Sequence, residues 1–150
     1  MNEHKQRAFA LLNARTTGVA SPLAGILDPA FEEVERPQAT AQGVAGLQAK
    51  LALFHKVHRN VVIQLQRQIS EGDVVCTQWV LSATVKAGAD GEDSPEKTVI
   101  FPGMSWTHFT PEGLIIKNRV YSDIVGQLLQ RGYQWAPAGA PTPSTEEASA

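Results

Sequence analysis

Apolar residues recur every three or four positions over the first part of the chain and every second position after it. Ala8, Leu11 and Leu12, with Phe9 beside them, predict a helix that Thr17-Gly18 ends. Ser21-Pro22 reads as an N-cap followed by proline at the first helical position. It would open a short helix carrying Leu23, Ile26 and Leu27, which Asp28-Pro29 stops. Phe31 to Arg36 is read as a brief strand. Val44, Leu47, Leu51 and Phe54 then give the clearest helical stripe.

From Asn60 the period is two. Val61, Ile63, Leu65 and Ile69 alternate with Val62, Gln64, Gln66 and Gln68, so one face is apolar and the other largely amide. Ser70-Glu71-Gly72 predicts a three-residue hairpin loop pairing Ile69 with Asp73, Leu65 with Thr77, Ile63 with Trp79 and Val61 with Leu81. A four-residue loop would set glutamines against the tryptophan, so the bulged turn is preferred. Ala87 to Lys97 reads as a polar acidic loop. Strands Phe101–Phe109 and Leu114–Ser122 would form a second hairpin about Thr110-Pro111-Glu112-Gly113, with Phe109 opposite Leu114, Ser105 opposite Asn118 and Gly103 opposite Val120. A helix from Ile124 to Arg131 closes the domain at Gly132. Helices followed by a run of antiparallel strands define an α+β domain over residues 1–135, and the Ala/Pro/Ser/Thr-rich stretch 136–150 is expected to be a disordered tail.

Composition narrows the function class. The chain has 150 residues, 43% of them hydrophobic, and a net charge of −2, so nothing electrostatic favours nucleic acid or an anionic membrane. Cys76 is the one cysteine and cannot form an internal disulfide. No apolar run approaches the roughly 18 residues of a membrane span. Met1-Asn2-Glu3-His4-Lys5 lacks the features of a signal peptide, and a cytoplasmic location is expected.

Two segments carry a family resemblance. Glu71-Gly72-Asp73-Val74-Val75 opens a strand, and Ser122-Asp123-Ile124-Val125-Gly126-Gln127-Leu128-Leu129-Gln130-Arg131-Gly132 ends the fold. This order resembles the SnoaL-like polyketide cyclases of the nuclear-transport-factor-2-like superfamily, which also holds ketosteroid isomerase and limonene epoxide hydrolase. The family ends in Gln-Leu-Gly, and Arg131 replaces that leucine here. The resemblance covers about residues 5–135 and implies a cone-shaped curved sheet whose concave face, with the N-terminal helices, encloses an apolar pocket. It implies a cofactor-independent fold, a hydrophobic small-molecule ligand, and a homodimer formed through the outer sheet face near Trp106 and Tyr121.

The family's catalytic groups do not carry over. The cyclase acid/base aspartate falls on Val120, one pocket histidine on Asn118, and a second near Ser105. The Asp-Arg-Asp set of limonene epoxide hydrolase falls on Leu81, Trp79 and Val120, so epoxide hydrolysis is not expected. The ketosteroid isomerase aspartate falls at Arg36-Pro37. Valine carries no proton.

The polar groups left on the expected cavity face are Asn118, Ser105 and Thr107. Asn118, Ser105 and Asp123 are taken as the catalytic candidates, although Asp123 also stands where an aspartate caps a helix. Trp79, Leu81, Thr107, Val120, Arg36 and Ile63 are the ligand-binding candidates. Glu32, Glu33 and Glu35 form an acidic stretch near the expected pocket mouth, read mainly as a solvated edge, with one general base conceivable. His55 and His58 lack a third metal ligand nearby, so no metal is expected. Two functions fit: a cyclase- or isomerase-type enzyme for a cyclic hydrophobic molecule, or a non-catalytic ligand-binding or dimerising module.

Overall fold

Asn2 starts the first helix, α1 (Glu3–Thr17), by accepting from the Lys5 backbone N–H at 2.8 Å. Gly18 ends it at φ +74°, giving its N–H to the Ala14 carbonyl at 2.8 Å. The chain is described in a computed structural model for residues 2–87 and 94–139. A single 3-10 turn (Ser21–Leu23) leads into β1 (Leu27–Val34) and β2 (Ala41–Gln42). Then follow α2 (Gly43–Val57), β3 (Arg59–Glu71), β4 (Val74–Lys86), β5 (Glu96–Phe109), β6 (Ile115–Ser122) and α3 (Ile124–Gln130). No described helix is long and apolar enough to cross a membrane.

The sheet order is β2-β1-β6-β5-β4-β3, with β1 parallel to β6 and every other pair antiparallel. The sheet is therefore mixed, not purely antiparallel. The expected second helix is only the 3-10 turn, and Ser21 supplies no cap. Tertiary pairing overrides the local signal here. Ile115 donates its N–H to the Ile26 carbonyl at 2.8 Å, which draws the next residue into the sheet as the start of β1. Pro29 is tolerated because the β1–β6 register breaks between Leu27 and Glu32.

The first hairpin turns on two residues, not three: Glu71 pairs with Val74, and Gly72 takes φ +57° at the first loop position, as a type II′ turn requires. Ile69 then faces Cys76 on the outer side and is exposed. An extra residue, Gln66, between Leu65 and Arg67 restores the alternation, so Leu65 meets Trp79 and Ile63 meets Leu81. Apolar still meets apolar, two residues away from the expected register. In the second hairpin an irregularity between His108 and Phe109 has a similar effect: Thr107 faces Asn118, Ser105 faces Val120 and Gly103 faces Ser122. The expected loop 87–97 is shorter, since β5 begins at Glu96; residues 88–93 lie outside the described residues, as does the expected tail from 140 onward.

The core lies between the helices and the concave sheet face. One cluster gathers Leu11, Phe31, Leu47, Val75, Phe109 and Ile115; the other gathers Leu12, Trp79, Leu81, Phe101 and Val120, with Phe54 and Ile63 against it. Helix α3 buries no residue of its own and lies against β5. Its Gln130 amide accepts from the Ile100 N–H and donates to the Ile100 carbonyl, each at 2.7 Å. That satisfies the strand edge β6 leaves open, a protection against edge-to-edge association.

Candidate functional site

The register arranges the concave face in rows. Glu33 of β1, Asn118 of β6, Thr107 of β5 and Val75 of β4 form one row. Val120, Ser105 and Thr77 form the next, and Ser122, Gly103 and Trp79 the third. Glu35 follows β1 one residue past the last pair, Val34 with Arg119, and so continues toward the Val120 row. Asn118, Ser105, Thr107, Trp79, Leu81 and Val120 are thus brought together and buried, with Ile63 half-buried beside them. They pack as part of the core. The Trp79 ring lies so close over Gly103 that an added Cβ would stand 2.1 Å from it.

The polar members of this face are already engaged. Trp79 Nε1–H donates to Ser105 Oγ at 2.9 Å, and the indole meets Phe101 edge-on at 6.3 Å between centroids. Thr107 Oγ1–H donates to Asn118 Oδ1 at 3.0 Å, and Asn118 Nδ2–H donates to Glu33 Oε2 at 2.8 Å.

Glu33 leads to a buried ionic cluster. Arg15 Nη2 of α1 lies 3.0 Å from Glu33 Oε1 and 3.0 Å from Glu35 Oε2. Lys50 Nζ of α2 lies 2.6 Å from each of the same two oxygens. Arg15, Glu33 and Glu35 are 6%, 2% and 6% exposed and Lys50 is half-buried beside them, so two positive charges stand against two negative ones. Burial pushes the Glu35 carboxyl up, but Arg15 and Lys50 outweigh it and hold it below its ordinary value. Burial likewise pushes the Arg15 guanidinium down, and Glu33 with Glu35 more than reverse that. Both cations of the cluster are engaged by Glu35 Oε2, and no hydrogen bond to Glu35 Oε1 is formed among the described residues.

Sequence reasoning left Glu33 and Glu35 on a solvated edge and did not single out Arg15 or Lys50. A signal was present. Glu33 and Glu35 alternate with Phe31, Arg15 follows Leu11 and Leu12 on the α1 stripe, and Lys50 lies between Leu47 and Leu51. Each charge sits on the buried face of its own element.

The other candidates lie elsewhere. Asp123 is exposed and caps α3, accepting from the Gly126 N–H at 2.8 Å. Arg36 is exposed and lines a shallow groove of about 160 Å³ with Val34, Arg119, Val120, Tyr121 and Ser122. His55 donates from Nε2 to the Arg15 carbonyl at 2.7 Å, tying α2 to the end of α1. His58 stacks on Phe54 at 4.0 Å between centroids, and burial lowers its pKa. Among the described residues no three His, Cys, Asp or Glu gather in a way that could hold a metal.

No family model matches the chain, and no curated protein matches it. Solved structures do. IdmH from Streptomyces antibioticus, a candidate polyketide cyclase, superposes with TM-score 0.74 at 16% identity, covering 88% of this chain and 100% of its own. A candidate SnoaL-like polyketide cyclase from Shewanella denitrificans gives TM-score 0.74 at 14% identity over 87% of this chain and 97% of its own. A protein of ketosteroid isomerase-like fold from Catenulispora acidiphila, in complex with trimethylamine, gives 0.71 at 19% identity over 87% and 97%. At such identities the likeness establishes architecture alone. The chain shares its fold with these SnoaL-like and ketosteroid isomerase-like structures, an α+β architecture built on a six-stranded mixed sheet.

Proposed function

We propose that the protein is a cofactor-independent enzyme of cyclase or isomerase type, acting on a hydrophobic cyclic small molecule, with Glu35 as its proton acceptor. The observation that carries this reading is the buried Arg15–Glu33–Glu35–Lys50 cluster joined through Asn118 to the concave face. Buried ion pairs add little net stability over well-packed apolar residues, so a four-membered one calls for another reason. A buried carboxylate such as Glu35, its pKa shifted by specific charged partners, is a recognised mark of working sites.

The chemistry is simple. Glu35 Oε1 takes a proton from carbon next to a carbonyl, and the C–H electron pair passes to the carbonyl oxygen as an enolate. Lys50, Arg15 or the Ser105 hydroxyl donates to that oxygen. In a cyclase the enolate carbon then bonds to a second carbonyl carbon, and the Glu35 proton passes to the alkoxide so formed. In an isomerase the proton returns to a different carbon. A carboxylate of low pKa is a weak base, which restricts the substrate to activated carbon acids such as β-dicarbonyl compounds. Trp79 must shift to admit a ring, and its indole N–H reports that movement.

Titration of labelled protein with bicyclic and tricyclic aromatic ketones tests the binding half of the proposal. The expected result is a saturable displacement of the Trp79 indole N–H resonance, identified by its loss in Trp79→Phe. Ligands that leave this resonance unmoved would refute it. A non-catalytic binding module is the second reading. It is favoured by Val120, which stands where the cyclase resemblance places its aspartate, and by a cluster that neutralises itself. The exposed outer-face residues Met104 and Trp106 support a homodimer, in keeping with the preference of interfaces for aromatics.

A further inference from the structure

We propose that the groove at the free end of β6 is a second site, one that binds the carboxylate group of a small organic acid through Arg36 and Arg119. The β1 ladder stops at Val34 with Arg119, so residues 120–122 have no strand partner on that side. The groove forms in the space left beside them. Both arginines are exposed, and neither has an ion pair or side-chain hydrogen bond among the described residues.

Three of the neighbouring acids are paired with cations among the described residues, and Asp123 keeps its charge one residue beyond Ser122. Glu32 holds Lys117 at 2.6 Å, Glu33 and Glu35 hold Arg15 and Lys50, and Asp123 caps α3. Two positive charges unpaired among the described residues therefore share one concavity in a chain whose net charge is −2. The rest of the lining is neutral: Val34 adds apolar surface, Val120 has its side chain in the core behind the groove, and Tyr121 and Ser122 add hydroxyls.

Ligand class follows from this combination. Guanidinium groups pair with carboxylates through two parallel hydrogen bonds, which gives them a geometric preference for that group. The Val34 side chain and the tyrosine ring would be wasted on a bare inorganic ion but can cover a hydrocarbon or aromatic body. The volume of about 160 Å³ is close to the roughly 150 Å³ of an engineered protein cavity that takes benzene, which fits a compact acid of one ring. Exposure weakens the charge pairing through screening, so the affinity is modest and salt-dependent. The site does not require the catalytic reading, because its groups are distinct from the Glu35 cluster.

The test titrates the labelled full chain with sodium benzoate, with neutral benzamide, and with inorganic phosphate, following the backbone amides of residues 119–122 and the arginine side chains. Benzoate is expected to shift these resonances saturably, with benzamide and phosphate each at least about tenfold weaker. Arg36→Gln and Arg119→Gln are each expected to weaken benzoate by roughly tenfold, the equivalent of about 1.4 kcal/mol, and the double variant to abolish binding. Both sites are exposed, so unchanged melting temperatures should confirm that the variants are folded. Benzamide binding as well as benzoate, phosphate binding more tightly on the same residues, an absence of benzoate binding, or indifference to both substitutions would each overturn the proposal.

Discussion

Replacing Gly103 with alanine should destabilise the protein by about 2–5 kcal/mol, although the backbone itself permits alanine. Gly103 is not in the left-handed region, and glycine-to-alanine changes at permissive sites ordinarily stabilise by roughly 0.4–1 kcal/mol through the unfolded chain. The added Cβ, however, would lie 2.1 Å from Trp79 Cη2 and 2.2 Å from Cζ2, far inside carbon contact distance of ~3.5–4.0 Å. The ring cannot slide away freely. Its Nε1 is held by Ser105 at 2.9 Å, and Phe101 meets it edge-on. Overpacking of this kind costs about 1–3 kcal/mol. An indole N–H torn from its partner in a site only 1% exposed adds about 1–3 kcal/mol. The steric terms win over the entropic gain. Urea unfolding should show a lower midpoint with an unchanged slope. In a Trp79→Leu background the same substitution should cost less than about 1 kcal/mol, because the clash is gone. A Gly103→Ala protein within about 0.5 kcal/mol of the parent would show that Trp79 does not pack over β5 as described.

Three further outcomes are expected. Asp123→Ala should cost about 1 kcal/mol and raise amide exchange in α3, while Asp123→Asn keeps the cap and leaves any turnover unchanged; lost turnover in Asp123→Asn would restore a catalytic role. Glu35 has a folded pKa below its ordinary 4.5, so its contribution to stability is full above that value and is lost as pH falls through the lower folded value. Unfolding midpoints should therefore drop below about pH 4.5, and less steeply in Glu35→Gln; identical acid profiles would contradict the ionic cluster. Light scattering at micromolar concentration should give twice the chain mass, and Trp106→Glu should shift it toward monomer; a monomer for the parent removes the outer-face interface.

The faces of this sheet were legible in the sequence, and the pairings were not. Alternation alone places Trp79, Leu81, Ser105, Thr107, Asn118 and Val120 inward and Trp106 and Tyr121 outward, because side-chain period fixes the face. Register depends on turn geometry and on irregularities at Gln66 and beside Phe109, whose only local signature is a polar or glycine-bearing context. The opening of β1 was misread because proline after aspartate signals a stop, while a distant strand supplied the hydrogen bond that decided the matter. The ionic cluster was hidden for a different reason. Its members come from two helices, one strand and the residue just past that strand, and no spacing rule links Arg15, Glu33, Glu35 and Lys50. What could have exposed it is the placing of a charge on each apolar stripe.

The most direct test of the central claim compares Glu35→Gln with the parent on a β-dicarbonyl ring-forming or isomerising substrate, measuring turnover and affinity separately. Removing one partner of a buried pair can cost about 3–5 kcal/mol, so Glu35→Asp serves as the conservative control and ligand affinity as the check on folding. With Glu35 as proton acceptor, Glu35→Gln loses about 10²–10⁴-fold in kcat while ligand affinity changes little, and Glu35→Asp recovers part of the rate. Undiminished kcat in a folded Glu35→Gln protein, or a parent that binds such substrates and never converts them, would contradict it.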